Sequence, residues 1–400
     1  MKRVLLASAV CLTVLLACGC WDRTEVNDLA LVMAAAIDKK EGNRIELSVE
    51  IFLPRSQRGG GISGMGGEQG GAKGGGKATL VRSAEGVNFA DALAKLQGKV
   101  PRKIRWGHCK VYIFGEEMAK AGISEKVDFF QRHPEVRTRA YVYVSKGNAS
   151  RILEVLPPLE RDSGEVIREL SKLHVGMGVT ILDLKQMLRG EGGAVALPMV
   201  DILSPRKGEH ELETAPYLFG TAVFKKDKMI GRITQNETRG VMWLKNEIRN
   251  ATVTVKEEEF EGSVSFHQIR ATTKLTPKIE RGKWKMHVEV KAEGDMVQNG
   301  TVLNPVRPEI FGKMEKAFKD EIQNQLETAL RTVQKKMKAD IFGFAEEFHR
   351  KYPKQWNQVK DQWDDVYPKV EVTIDIKAHI RSPGAATHPA GIPEQEVKQE

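Results

Sequence analysis

Two cysteines, Cys18 and Cys20, close a short apolar run at a place where a thiol can take up lipid. Lys2 and Arg3 supply a charged start, Val4 to Ala17 an apolar stretch, and Leu15-Leu16-Ala17-Cys18-Gly19-Cys20 the small residues that precede cleavage at a diacylglyceryl cysteine. A membrane span needs roughly 20 apolar residues, so this shorter run reads as a signal, residues 1–19, that is removed. Both registers satisfy the pattern: Leu15 lies upstream of Cys18, and Ala17-Cys18-Gly19 upstream of Cys20. An ordinary cleaved signal is the alternative, but no A-x-A site stands nearby. Two or three acyl chains anchor stably where one binds marginally. The mature chain is therefore expected to be tethered to the outer face of a membrane.

Other residues invite chemistry and fail to complete it. Gly71-Ala72-Lys73-Gly74-Gly75-Gly76-Lys77 has P-loop spacing, but Ala78 stands where a magnesium-binding hydroxyl belongs and a strand follows instead of a helix. Gly176-Met177-Gly178-Val179-Thr180-Ile181 lacks the third glycine of a dinucleotide site; Thr180 with Asp183 reads better as a helix cap. His108 beside Cys109 suggests a metal or a thiol nucleophile, yet a lone cysteine in an apolar stretch is usually a small buried hydrophobe. Glu257-Glu258-Glu259 and Glu346-Glu347 read as solvated charge, and the six tryptophans as separate core anchors. There is no G-x-S-x-G elbow, H-E-x-x-H or paired C-x-x-C. No catalytic residue, cofactor or metal is expected.

Composition bounds what must hold these residues. The chain has 400 residues, 41% hydrophobic and 29% charged, with room for two or three domains. Once the signal and anchor cysteines are set aside, Cys109 is alone, so stability rests on packing and not on disulfides. The formal net charge of +9 suits an anionic lipid surface. Nucleic acid is not expected, since no zinc-finger or aromatic-basic motif is present.

Periodicity supplies the elements. Leu29 to Ile37 and the alternating Arg44 to Leu53 flank Glu41-Gly42-Asn43 as a hairpin. Glycine dominates 56–77, which reads as a mobile loop. Strands are expected at Thr79 to Arg82, Lys110 to Phe114, Arg139 to Val144 and Ala194 to Ile202. Between them come helices: one capped by Asn88, then Ile123 to Phe130, Ala149 to Val155, Gly164 to His174 and Thr180 to Leu188. A polar break at 204–216 separates an N-terminal α+β domain, 20–203, with 150–160 as a candidate point of subdivision, from a C-terminal α+β domain, 217–381. The second begins with a hairpin turning at Lys225-Lys226-Asp227 and continues in long alternating strands. Then Ile310, Met314, Phe318, Ile322, Leu326 and Leu330 set a helical stripe that Val333, Met337 and Ile341 extend to Gly343. A helix near Gln355 to Trp363, a strand at Lys369 to Ile380 and a disordered tail, 382–400, complete the chain. The expected class is α+β and multidomain, with mixed or antiparallel sheets and packed helices; the C-terminal domain is an antiparallel sheet with one long amphipathic helix.

Several blocks together resemble the Ger(x)C spore germination lipoproteins. They are Cys20-Trp21-Asp22-Arg23 with Asn27-Asp28-Leu29-Ala30, Pro101-Arg102-Lys103 with Gly107-His108, Leu218-Phe219-Gly220-Thr221-Ala222-Val223-Phe224, Arg239-Gly240, and Ala339-Asp340-Ile341-Phe342-Gly343-Phe344 with Tyr352-Pro353-Lys354-Gln355-Trp356. They run in order to about Arg381. The resemblance implies a multidomain α+β fold without catalytic residues, and a lipid on the cysteine directly before Trp-Asp, here Cys20 with Cys18 as the alternative. It also implies a C subunit of a nutrient germinant receptor, anchored on the outer face of the spore inner membrane beside integral membrane A and B subunits. A solute-binding lipoprotein is the competing reading; it calls for βαβ repeats around a hinge, whereas the second half here reads antiparallel. A surface hydrolase would need a nucleophile and base from unrelated parts of the chain.

Overall fold

The computed structural model describes residues 2–3, 25, 28–53, 79–208, 210–257, 262–384 and 386. Cys18 and Cys20, the glycine-rich 56–77 stretch and the tail beyond 386 lie outside the described residues.

β1 (Leu29–Lys39) and β2 (Ile45–Phe52) form the expected antiparallel hairpin; Gly42 and Asn43, with φ of 63° and 61°, make the left-handed turn. β3 (Thr79–Gly86) pairs with β2, and α1 (Phe89–Gln97) starts where the Asn88 side chain accepts the Asp91 N–H. The short β4 (Lys103–Arg105) lies parallel to the first residues of β1. β5 (Val111–Phe114), β6 (Tyr141–Ser145) and β7 (Ala194–Ile202) continue the sheet in parallel. Parallel neighbours need crossovers. These are α2 (Glu116–Ala121) with α3 (Ser124–Arg132), and α4 (Ser150–Glu154) with α5 (Ser163–Lys172) and α6 (Ile181–Arg189). Helices on both faces bury the central strands on both sides, which is why Val111–Phe114 and Val142–Val144 are fully covered. The Thr180–Asp183 capping box opens α6 as read from the sequence.

β8 (Pro216–Lys225) and β9 (Lys228–Thr234) then add antiparallel strands, giving the order β3-β2-β1-β5-β6-β7-β8-β9 with β4 against β1. The 204–216 break thus joins two neighbouring strands, and one sheet runs from the first half of the chain into the second.

A second sheet, β10 (Thr252–Glu257), β11 (Gly262–Glu280), β12 (Lys283–Asn299) and β13 (Glu371–Ser382), follows α7 (Gln235–Leu244). Its first three strands are antiparallel, but β13 lies parallel to β12. The intervening helices return the chain to the end where β12 began, and alternation carries no direction, so the sequence could not show this. They are α8 (Pro308–Ala329), α9 (Phe344–Lys351), α10 (Pro353–Val359) and α11 (Trp363–Val366). The stripe of α8 is core as expected, with Phe318 against Phe266 at 5.0 Å. Each such ring contributes about 1.5–3 kcal/mol by burial. The helix does not stay regular to Gly343: Leu330–Met337 is a π turn ending at left-handed Lys338. That turn aims Gln334 inward, where its amide donates to the carbonyls of Tyr367 and Val370 at 3.0 and 2.9 Å.

Candidate functional site

The residues that invited chemistry stay apart. Cys109 is fully buried, its Sγ donates to the Val111 carbonyl at 3.4 Å, and burial pushes its thiol up to about 12, so it carries no thiolate. His108 is exposed beside it. Among the described residues, no three His, Cys, Asp or Glu side chains converge on a metal-sized space. Glu346 is exposed and Glu347 pairs with Arg350.

The structure gathers the residues of the recognisable blocks into joints. Asp340, 5% exposed, accepts the N–H groups of Phe344 and Ala345 at 3.0 and 2.7 Å and the indole N–H of Trp363 at 3.0 Å. It thereby caps α9 from outside the helix. Burial, with Glu346 nearby, raises its pKa to about 6, while the three donors hold it down. Trp284, Trp356 and Trp363 are not separate anchors, as the sequence suggested: with Phe348 and Tyr367 they pack around Trp363, the ring that bonds Asp340, Trp356 and Trp363 meeting at 5.0 Å and Trp284 and Phe348 at 4.6 Å. Spacing along the chain hid a cluster made in space. The loop between α6 and β7 docks on this knot. Glu191 accepts from the Trp356 indole at 3.3 Å and meets His349 at 3.0 Å, and a Cβ on Gly192 would lie 3.0 Å from the Asp340 carbonyl oxygen.

A second joint locks α7 to α8. A Cβ on Gly240 would stand 2.2 Å from the Gln325 carbonyl oxygen, so only glycine permits this crossing. The Trp243 indole donates to Gln325 Oε1 at 3.1 Å, and Thr332 donates to Glu237 at 2.7 Å. The sequence reading missed α7. Its signal was Thr234 followed three residues later by Glu237, a capping box that the structure forms in full.

The Pro101-Arg102-Lys103 block is shaped by Gln97. Its amide donates to the carbonyls of Val100 and Arg102 at 3.2 and 2.9 Å, and its oxygen accepts the Ile104 N–H at 3.0 Å. Arg105 forms an ion pair with Glu135, which also accepts the Trp106 N–H at 3.0 Å. Behind them Trp106 packs on Phe89 and stacks on Tyr112.

Elsewhere in the large sheet, Glu50 is fully buried. Its Oε1 accepts the Thr79 hydroxyl at 3.0 Å and its Oε2 has no hydrogen-bond partner. Burial, then the charge of Asp162, pushes it up to about 8. Surface clefts of about 340–380 Å³ lie elsewhere, one floored by Leu330, Val370, Val372 and Ile374 between α8 and β13. Among the described residues, no helix is long and apolar enough to cross a membrane.

Known proteins are similar to this chain along most of its length. The family description "Spore germination protein N-terminal domain" matches residues 22–202, and "Spore germination B3/GerAC like, C-terminal" matches 219–384. Spore germination protein KC of Bacillus subtilis (strain 168) is 30% identical over 97% of this chain and 98% of its own length. The putative spore germination protein YfkR of the same organism is 29% identical over 91% and 94%. The crystal structure of the GerBC protein superposes with a TM-score of 0.55 at 18% identity, covering 87% of this chain and 97% of that one, and so shares the α+β fold. The contacts of Glu191 with Trp356 and of Gly192 with Asp340 join the two matched regions, and the chain belongs to the GerAC-like family of spore germination proteins.

Proposed function

We propose that this protein is a lipid-anchored, non-enzymatic C subunit of a nutrient germinant receptor, held by Cys20 on the outer face of the spore inner membrane and working by contact with integral membrane A and B subunits. The observation that carries the reading is similarity to germination proteins along nearly the full chain, joined to an apolar run that ends at Cys20-Trp21-Asp22. The residues of the recognisable blocks support it, because they are spent on packing and capping.

Replacing Cys20 by alanine tests it. Intact mass of the native protein is expected to show acylation that the variant lacks, with loss from the detergent phase and weakened nutrient-triggered germination. Full membrane retention and normal germination in the variant refute the anchor at Cys20 and direct the same test to Cys18. Co-purification from spore membranes is expected to bring down the integral membrane subunits. Micromolar calorimetric binding of an amino acid or sugar to the isolated chain would instead favour a solute-binding lipoprotein.

A further inference from the structure

We propose that the rim of the large sheet where β1 begins is a docking face for an anionic phospholipid surface, with Arg102, Lys103, Arg137 and Arg139 as its contact residues. The proposal rests on the lipid-anchor reading above and adds the orientation of the protein on its membrane.

Three observations meet at this rim. The first is reach: Cys20 is followed by only eight residues before Leu29, so an acylated Cys20 lies within about 30 Å of the start of β1 however that stretch is arranged. The second is placement. Leu29 and Leu31 pair with Lys103 and Arg105, which puts the 98–105 loop beside the first residues of β1. The 132–140 loop is clasped to it through Glu135, which holds both the Arg105 guanidinium and the Trp106 N–H. The third is charge. Arg102, Lys103, Arg137 and Arg139 are exposed and have no hydrogen-bonding or ion-pair partner for their side-chain cations among the described residues. Lys99, also exposed, spends its ammonium only on the Ser83 carbonyl.

Of the acids near this surface, Asp183, at the helix start that bonds the Thr138 and Ala140 carbonyls, is spent on the Thr180 N–H and hydroxyl. Glu135 is taken by Arg105 and Asp128 by Arg132, leaving Asp28 and Glu25 on the tether side. At the opposite end of the same hairpin Lys40 pairs with Glu46 and Arg44 with Glu85, and one exposed cation, Lys39, has no side-chain partner among the described residues. Four exposed cations without partners thus stand together at the end the tether holds down, against one at the other end of the hairpin. Near an anionic surface each is worth about fivefold in partitioning. A lipid anchor alone fixes one point; a charged rim around it sets which way the remainder of the chain faces.

Native acylated protein, reconstituted in vesicles of neutral phosphatidylcholine or of phosphatidylcholine with phosphatidylglycerol, supplies the test by amide hydrogen exchange. On the anionic vesicles, residues 98–105 and 132–140 are expected to exchange at least about fivefold more slowly than on neutral ones. The protection should vanish at about 1 M salt, where screening shortens to a few ångströms. The Arg102→Glu, Lys103→Glu double variant should lose it while still floating with both vesicles and keeping its exchange pattern in β5 to β7. Equal exchange on both vesicle types, or protection confined to another surface, overturns the proposal. Failure of the wild type to float with neutral vesicles overturns the anchor instead. In that event flotation of wild type against the double variant on anionic vesicles decides the rim separately, and equal partitioning rejects it.

Discussion

Asp340 in the second half of the chain and Glu50 in the first are both carboxyl groups cut off from water, and their surroundings answer them in opposite ways. Asp340 receives two backbone N–H groups and an indole N–H, and its pKa rises only to about 6. Glu50 receives one well-formed bond, from the Thr79 hydroxyl, with only weaker help from the Ser163 and Gly164 N–H groups and the added charge of Asp162, and rises to about 8. Burial costs an ion several kcal/mol, and donors offset that cost one by one. At neutral pH Asp340 is mainly the anion its joint requires, whereas Glu50 is mainly a neutral acid. The one is a fastener between elements; the other is a polar inclusion the sheet tolerates by keeping it protonated.

Removing the fastener should have the largest effect. Asp340→Ala leaves three buried donors without an acceptor and is expected to cost about 3–5 kcal/mol, read as a lowered denaturant midpoint with loss of exchange protection in α9. An effect no larger than that of a surface substitution would abolish the contrast.

Glu50→Gln probes the other side. The native state keeps the Glu50 proton up to about pH 8 while the unfolded chain releases it near 4.5. Between those values the folded protein binds more protons, so this group makes stability fall as pH rises, by up to about 1.4 kcal/mol per pH unit. Asp340 contributes in the same direction between 3.8 and about 6. Glutamine at position 50 should flatten the decline above pH 6 and leave the variant more stable than wild type near pH 8, as measured by denaturant titrations across the window. An unchanged slope would mean that Glu50 is ionised in the fold.

Removing single donors should give smaller effects of matched kind. Trp363→Phe retains the ring and takes one N–H from Asp340, for about 1–2 kcal/mol and an upward move of the Asp340 titration followed by carboxyl NMR. Thr79→Val keeps the shape and takes the hydroxyl from Glu50. Because that acid is already neutral, the loss should be about 0.5–1 kcal/mol, with its titration displaced further upward.

Much of the architecture was legible where a local rule acts alone. The Glu41-Gly42-Asn43 turn, the Asn88 cap, the Thr180–Asp183 box and the apolar stripe of α8 each follow from residues a few positions apart. What escaped depends on contacts distant in sequence. The parallel register of β13, the π turn that frees Gln334, and the meeting of Trp284, Trp356 and Trp363 leave no periodic trace. The basic rim escaped for the same reason: Arg102 and Arg139 are far apart in the chain and are brought near each other by the bonds of Glu135 to Arg105 and to the Trp106 N–H. The helix α7 was a different kind of miss, since Thr234 and Glu237 announced it and the short segment between two strand signals was passed over.

The register of β7 against β8 has a mechanical consequence. Nine residue pairs from Ala194 to Ile202 bind the first half of the chain to the second within one ladder. A swing of either half about 204–216 would have to open that ladder from its far end, Ala194 with Lys225, breaking its hydrogen bonds in turn. Cutting the chain at that segment would leave two long apolar strand margins seeking new partners.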